Sequence, residues 1–278
     1  MIKDKITEKL LLFIALSAIL SLLLITFFIF QQGIPLIFKI GLKNFFSIYW
    51  SPTRGNFGIL SMIVGSLMVT GGALVFGVPF GLACAIFLAE FSSKTIQKIL
   101  KPIIELLAGI PSVVYGFIGI VILIPFIRDN FGGPGFSVLA ASIILGIMIL
   151  PTIVSISYDA FSAVPSTYRD GSLALGATKW QTVRMVLIPA ARSGIVTSII
   201  LGMGRAIGET MAVIMIAGNA LKIPHSILDS VRTLTSTIAL ELGYAAGDHR
   251  AALFACGAFL FLIIIILNII AIKVTGRK

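Results

Sequence analysis

The chain has 278 residues, 58% of them hydrophobic and 12% charged, with a formal net charge of +10. A soluble domain is roughly 25% charged, and one of this length could not cover so much apolar surface with polar groups. A soluble enzyme, a disordered chain and a disulfide scaffold are therefore excluded, which leaves an all-α polytopic membrane protein.

A helix crosses the hydrocarbon core with about 20 apolar residues. Six segments reach that length: Leu10–Phe30, Ile59–Ala89, Ile103–Ile127, Phe136–Tyr158, Gly194–Ala217 and Ala251–Ile272. The first follows Lys3, Lys5 and Lys9 but has no small-x-small cleavage site after it, so it is expected to be a retained span. The second reads as one long, tilted or broken helix, with Pro79 and several glycines as kink points. Pro111, Pro125 and Pro151 are expected to kink their spans. Cys84 and Cys256 each lie inside an apolar run, as small core residues do.

Six spans place the N-terminus, the 90–101 loop, the 159–193 loop and the C-terminus on one side, with 13 Lys and Arg, against 7 on the other side. Basic residues accumulate on the cytoplasmic side, so both termini are expected there, in a multi-pass protein of the cell membrane. The positive charge is thus a topology signal, and no nucleic-acid partner is implied. No Gly-x-x-x-x-Gly-Lys-Ser/Thr loop, His-x-x-x-His, Cys-x-x-Cys or Gly-x-Ser-x-Gly pattern occurs. Neither a cofactor or metal nor a covalent reaction is expected, and any driving energy comes from a partner or an ion gradient.

The 159–193 loop codes two short helices. Thr167 and Asp170 have capping-box spacing, Gly176 suits a left-handed stop, and Thr178 with Gln181 forms a second capping box. Trp180, Val183 and Leu187 fall on one face, and Pro189 is expected to limit the second helix. Periodicity alone gives an ordinary helical hairpin shielding the end of a bundle. Residue identity adds to that: Asp170-Gly171-Ser172, then Gly176, then Val186, Ile188 and Pro189 resemble the EAA signature of ABC importer permeases. The resemblance implies the type I importer (MetI-like) fold. It also implies that Asp170, Gly171, Ser172, Leu175, Gly176 and Pro189 belong to a loop that docks on an ATP-binding subunit dimer.

The fifth segment carries Arg205 and Glu209, four residues apart and so expected on one helix face. Ionisable residues inside a span are expensive and mark a pathway or a pair. One reading is an intrahelical ion pair that only neutralises itself. The other is an anion-handling pair, since a guanidinium can bind an oxyanion in bidentate fashion.

The runs 174–180, 205–213 (Arg-Ala-Ile-Gly-Glu-Thr-Met-Ala-Val), 77–81 and 109–116 (Gly-Ile-Pro-Ser-Val-Val-Tyr-Gly) are similar to the permeases of the bacterial phosphate-specific ABC transporter. The resemblance extends from about Gly55 to the C-terminus. It divides the chain into an N-terminal span and external loop, 1–58, and a permease core, 59–278. It implies a pathway for inorganic phosphate through Arg205, Glu209 and Thr210. The implied partners are a homologous permease subunit, the ATP-binding dimer, an extracytoplasmic phosphate-binding protein and membrane lipid. A permease for molybdate, sulfate or phosphonate, or a secondary transporter without an ATPase, are the competing expectations. His225 and His249 read as solvated loop residues, and Leu234, Ile238 and Leu242 as a short amphipathic or re-entrant helix on the external face.

Overall fold

The computed structural model describes residues 2–276, with side chains described for residues 7–270, 272 and 273. Lys3, Lys5, Arg277 and Lys278, which enter the charge count, lie outside the described side chains.

Apolar length dictates the architecture. Helix α1 (Ile2–Ile40) leads to a single helical turn, a two-stranded antiparallel hairpin, β1 (Trp50–Ser51) and β2 (Asn56–Phe57), and helix α2 (Leu60–Phe91). Next come α3 (Lys94–Gly109), α4 (Ser112–Phe131) and α5 (Val138–Ser162). The loop contributes α6 (Ser166–Ala174) and α7 (Lys179–Ala190). The chain continues with α8 (Arg192–Gly208), α9 (Met211–Ile216), α10 (Leu234–Glu241) and α11 (Gly247–Gly276).

Five of these helices are long and apolar enough to cross a membrane: α1, α2, α4, α5 and α11. The expected second span is one continuous helix that tolerates Pro79 in its interior. The expected third and fifth spans differ from expectation. Residues 103–127 are not one helix, because α3 stops at Gly109 and α4 begins at Ser112. Residues 194–217 are also interrupted, between Gly208 and Met211, and the bend between α7 and α8 is 73°.

The helices α2 and α5 form the centre of the bundle. They approach closely at Gly77, where a Cβ would sit 2.7 Å from the Ile149 side chain. Ser157 and Ser198 share a buried 2.8 Å hydrogen bond between α5 and α8, the polar contact expected where lipid supplies no hydrophobic drive for helix association. Three apolar clusters follow. Val69, Ile144, Ile149 and Ile216 pack in the middle, and Phe45, Trp50, Met62 and Leu253 at the hairpin end. Leu88, Phe161, Val183 and Leu187 pack at the loop end. The first half of α1 touches none of these, and Leu10, Leu11, Leu12 and Phe13 all remain more than half exposed.

Three π-helical turns occur among the described residues: Phe87–Phe91, Gly119–Leu123 and Val183–Leu187. Two have a common cause. A proline clashes with the carbonyl four residues before it. For Pro125 that residue is Val121 and for Pro189 it is Met185, each inside the wider turn that removes the clash. Pro189 therefore widens α7, and the helix ends one residue later at Ala190 with a 73° bend into α8, as expected.

Candidate translocation site and coupling loop

Two interrupted helices meet in the bundle. After α3, Ile110 (φ −67, ψ 128) and Pro111 (φ −58, ψ 139) are extended. After α8, Glu209 (φ −67, ψ 135) is extended and Thr210 (φ −121, ψ −61) leads into α9. The helices beyond the breaks, α4 and α9, pack at Gly116. A Cβ there would lie 2.7 Å from Met215 Sδ and 3.2 Å from Ala212 Cα, so only glycine admits this approach. The Tyr115 hydroxyl donates to the Leu107 carbonyl at 2.8 Å, spanning the first break.

The polar residues of the fifth segment gather at this junction. Arg205 Nη2 donates to the Ala108 carbonyl at 3.5 Å, the outer limit of a hydrogen bond. The Glu209 carboxylate accepts the Ala212 N–H at 3.2 Å, and the Glu209 carbonyl accepts the Thr235 hydroxyl at 2.8 Å. The Thr210 hydroxyl donates to the Gly208 carbonyl at 3.3 Å. The expectation that Arg205 and Glu209 share one helix face is overturned, because α8 ends between them. The carboxylate turns to the free N–H groups at the start of α9, and no Arg205–Glu209 ion pair occurs among the described residues. An arginine has five N–H donors. Apart from the long contact to Ala108, those of Arg205 have no protein acceptor among the described residues.

At the loop end, α6 begins after Pro165 with no side-chain cap, so the Thr167–Asp170 capping box is not formed. The Thr178–Gln181 box is formed, with Gln181 N–H donating to Thr178 Oγ1 and Thr178 N–H to Gln181 Oε1. Gly176 has φ +84, the left-handed stop anticipated for it. Asp170, Gly171, Leu175 and Gly176 are exposed at the tip, and Leu175 is 91% exposed. Ser172 bonds to Thr182 at 3.0 Å and so ties α6 to α7. Val183 and Leu187 are buried as expected, whereas Trp180 is exposed. Pro189 lies apart from the tip, in a cavity of about 680 Å³ lined also by Tyr168, Met185 and Gly194.

One strong contact here escaped the sequence reading. The Arg169 guanidinium binds Glu90 in bidentate fashion, Nη2 to Oε1 at 2.7 Å and Nε to Oε2 at 3.2 Å. Its remaining donors reach the carbonyls of Val164 and Phe161, both at 2.8 Å. The pair joins α6 to the end of α2 across 79 residues of sequence. A local pattern carries no signal for it.

At the hairpin end, α10 appears where the Leu234 periodicity placed a short helix. Glu241 is buried there, accepting from Arg232 Nη1 at 2.7 Å and Trp50 Nε1 at 3.0 Å. His249 Nε2 lies 2.8 Å from the same carboxylate, so His249 is a packed residue of α11 and not a solvated loop histidine. In the loop before α10, the Asp229 carboxylate accepts the backbone N–H groups of His225 and Ser226. These bonds hold its pKa below the ordinary 3.8.

With α3–α4 and α8–α9 broken around an arginine, and a helical loop projecting from one end, the molecule has the build of a transport permease. Residues 77–274 match the family described as binding-protein-dependent transport system inner membrane component, and the chain belongs to that family. It is 36% identical over 274 residues to the phosphate transport system permease protein PstC of Haemophilus influenzae, covering 91% of this chain and 85% of that one. It is 32% identical to a probable PstC of Methanocaldococcus jannaschii, covering 93% and 89%. A 49% identical match to the probable ABC transporter permease YqgH of Bacillus subtilis covers 71% of this chain and 65% of that protein.

Solved structures agree on the fold. A bacterial ABC transporter that imports alginate aligns with a TM-score of 0.67 at 18% identity, covering 99% of this chain and 98% of that one. The inward-facing MetNI methionine transporter aligns with a TM-score of 0.60 at 20% identity, covering 82% and 98%.

Proposed function

We propose that this chain is a permease subunit of an ATP-driven importer of inorganic phosphate. The observation that carries the reading is Arg205, a cation near the end of α8 and beside the α3–α4 interruption whose donors are almost wholly unused. The PstC relatives supply the anion: a phosphate oxyanion accepts two parallel N–H bonds from a guanidinium. Discontinuous helices with ion-binding groups at the break are a recurrent way to build a transport site. Glu209 and Thr210 shape the break beside it. The chain itself makes no covalent bond, and a homologous permease supplies the other wall of the pathway.

Energy enters through the 159–193 loop. Leu175, exposed at the tip of α6, and the neighbouring Asp170 and Gly171 form the surface offered to an ATP-binding subunit, on the cytoplasmic side with both termini. The Arg169–Glu90 pair then carries displacement of α6 into α2. The hairpin end faces the extracytoplasmic side, where a phosphate-binding protein docks.

The test is uptake of radiolabelled phosphate by the assembled importer in proteoliposomes. Phosphate, but not sulfate or molybdate, is expected to drive uptake and to stimulate ATP hydrolysis. Uptake that proceeds without an ATP-binding subunit would overturn the reading.

A further inference from the structure

Helix α3 carries a pattern besides its apolar face. Lys94, Lys98, Lys101, Glu105 and Ala108 recur at steps of four, three, four and three residues and form one stripe along it. At 1.5 Å per residue the stripe runs ~21 Å. One end holds three lysines. The other is the Ala108 carbonyl that accepts from Arg205.

The lysines face a cavity. Lys94, Gln97, Lys98, Lys101, Glu105 and, from α5, Tyr158 line an open space of about 480 Å³. Lys101 is fixed against its wall, 3.7 Å from Asp159 and with its ammonium 4.9 Å from the Tyr158 ring centroid. Lys94 and Lys98 have no carboxylate partner among the described residues. An anion leaving Arg205 needs a next cation, because bare apolar wall would charge it the full loss of hydration. Lysines along the wall supply a positive potential, and Glu105 between them and Arg205 keeps the anion from being held too tightly to leave.

We propose that this lysine-lined cavity is the inner mouth of the anion path, a site for a free phosphate-type oxyanion between Arg205 and the cytoplasm. The inference rests on the phosphate pathway proposed above. The same chemistry could come from the phosphodiester headgroup of an anionic lipid, since Ile96, Ile99 and Ile103 beside the stripe are exposed. Continuity of the stripe with Arg205 favours the free ion.

The assembled importer, reconstituted with and without phosphatidylglycerol in a zwitterionic bilayer, separates the two sources. K98Q and K98C are expected to lower the phosphate taken up per ATP hydrolysed by about fivefold, the scale of one exposed ion pair, in both bilayers. Modifying K98C with an aminoethyl thiosulfonate restores a positive charge and should restore uptake. A sulfonatoethyl reagent should not, and phosphate inside the vesicles should slow both modifications. Unchanged uptake in K98Q overturns the mouth, as does a defect seen only with phosphatidylglycerol, which assigns the lysines to lipid. Phosphate transport by the parent with unaltered K98Q sinks the mouth alone. A parent importer that takes up no phosphate sinks the proposed pathway and the mouth with it.

Discussion

Arg169 and Arg205 are the same residue type in two regions with opposite accounts of their donors. Arg169, at the loop end, spends its guanidinium on Glu90 and two backbone carbonyls, with side-chain exposures of 24% for the arginine and 12% for the glutamate. Arg205, at the junction of the broken helices, reaches one carbonyl at 3.5 Å. A charge inside a fold is kept either because it is paired or because it awaits a partner. The first arginine is a tie between helices, and the second keeps most of its donors free for the anion proposed above. Arg232 belongs with the first kind, since Glu241 answers it at 2.7 Å.

Substitutions can break this contrast. R205A is expected to lower phosphate uptake by roughly a hundredfold, the scale of losing one preorganised charged donor. The protein should insert and melt normally, because no ion pair is lost. R205K should recover little, since an ammonium cannot offer two parallel N–H groups. A thermal shift as large as the uptake defect would place Arg205 with the ties.

The paired arginines should respond in the opposite order. E241A leaves Arg232 uncompensated and is expected to destabilise by about 3–5 kcal/mol, read as a lower melting temperature in detergent. E90Q weakens a bidentate pair that is partly solvated, and should destabilise by about 1.5–3 kcal/mol. It should also reduce the uptake obtained per ATP hydrolysed, whereas E241A should not alter that ratio in the protein that remains folded.

Smaller effects sharpen the loop. G176A places a Cβ on a φ of +84, which costs about 1–2 kcal/mol and should loosen copurification with an ATP-binding subunit. The Asp229 loop gives a pH signature. Its carboxyl titrates below 3.8 when folded, so its contribution is full above that pH and is lost as pH falls through the lowered value. Hydrogen exchange at the His225 and Ser226 amides should stay slow down to about pH 4 and accelerate only below it.

Composition made the bundle legible, because 20-residue apolar runs have few other uses. The loop was legible where its signals are local: the Thr178–Gln181 box and the Gly176 stop formed as read. The interruptions were not. Gly208 and Thr210 do not lower an apolar average enough to end a span, and Pro111 reads as a kink until the backbone shows two extended residues before α4. A glutamate after Gly208 that caps the next half-helix was the available clue, and helix spacing turned it into an ion pair instead. His249 and Arg169 were misread or missed because their partners lie in other elements.

The pairing of the two interruptions has a mechanical consequence. The peptides at 110–111 and 209–210 already lie outside regular helix, so they can rotate with few helical bonds to break. Because α4 and α9 pack closely at Gly116, a rotation at one interruption would carry the other helix with it. Arg205 stands on α8, before the second interruption. Such a rotation would change what surrounds the guanidinium without unwinding its own helix.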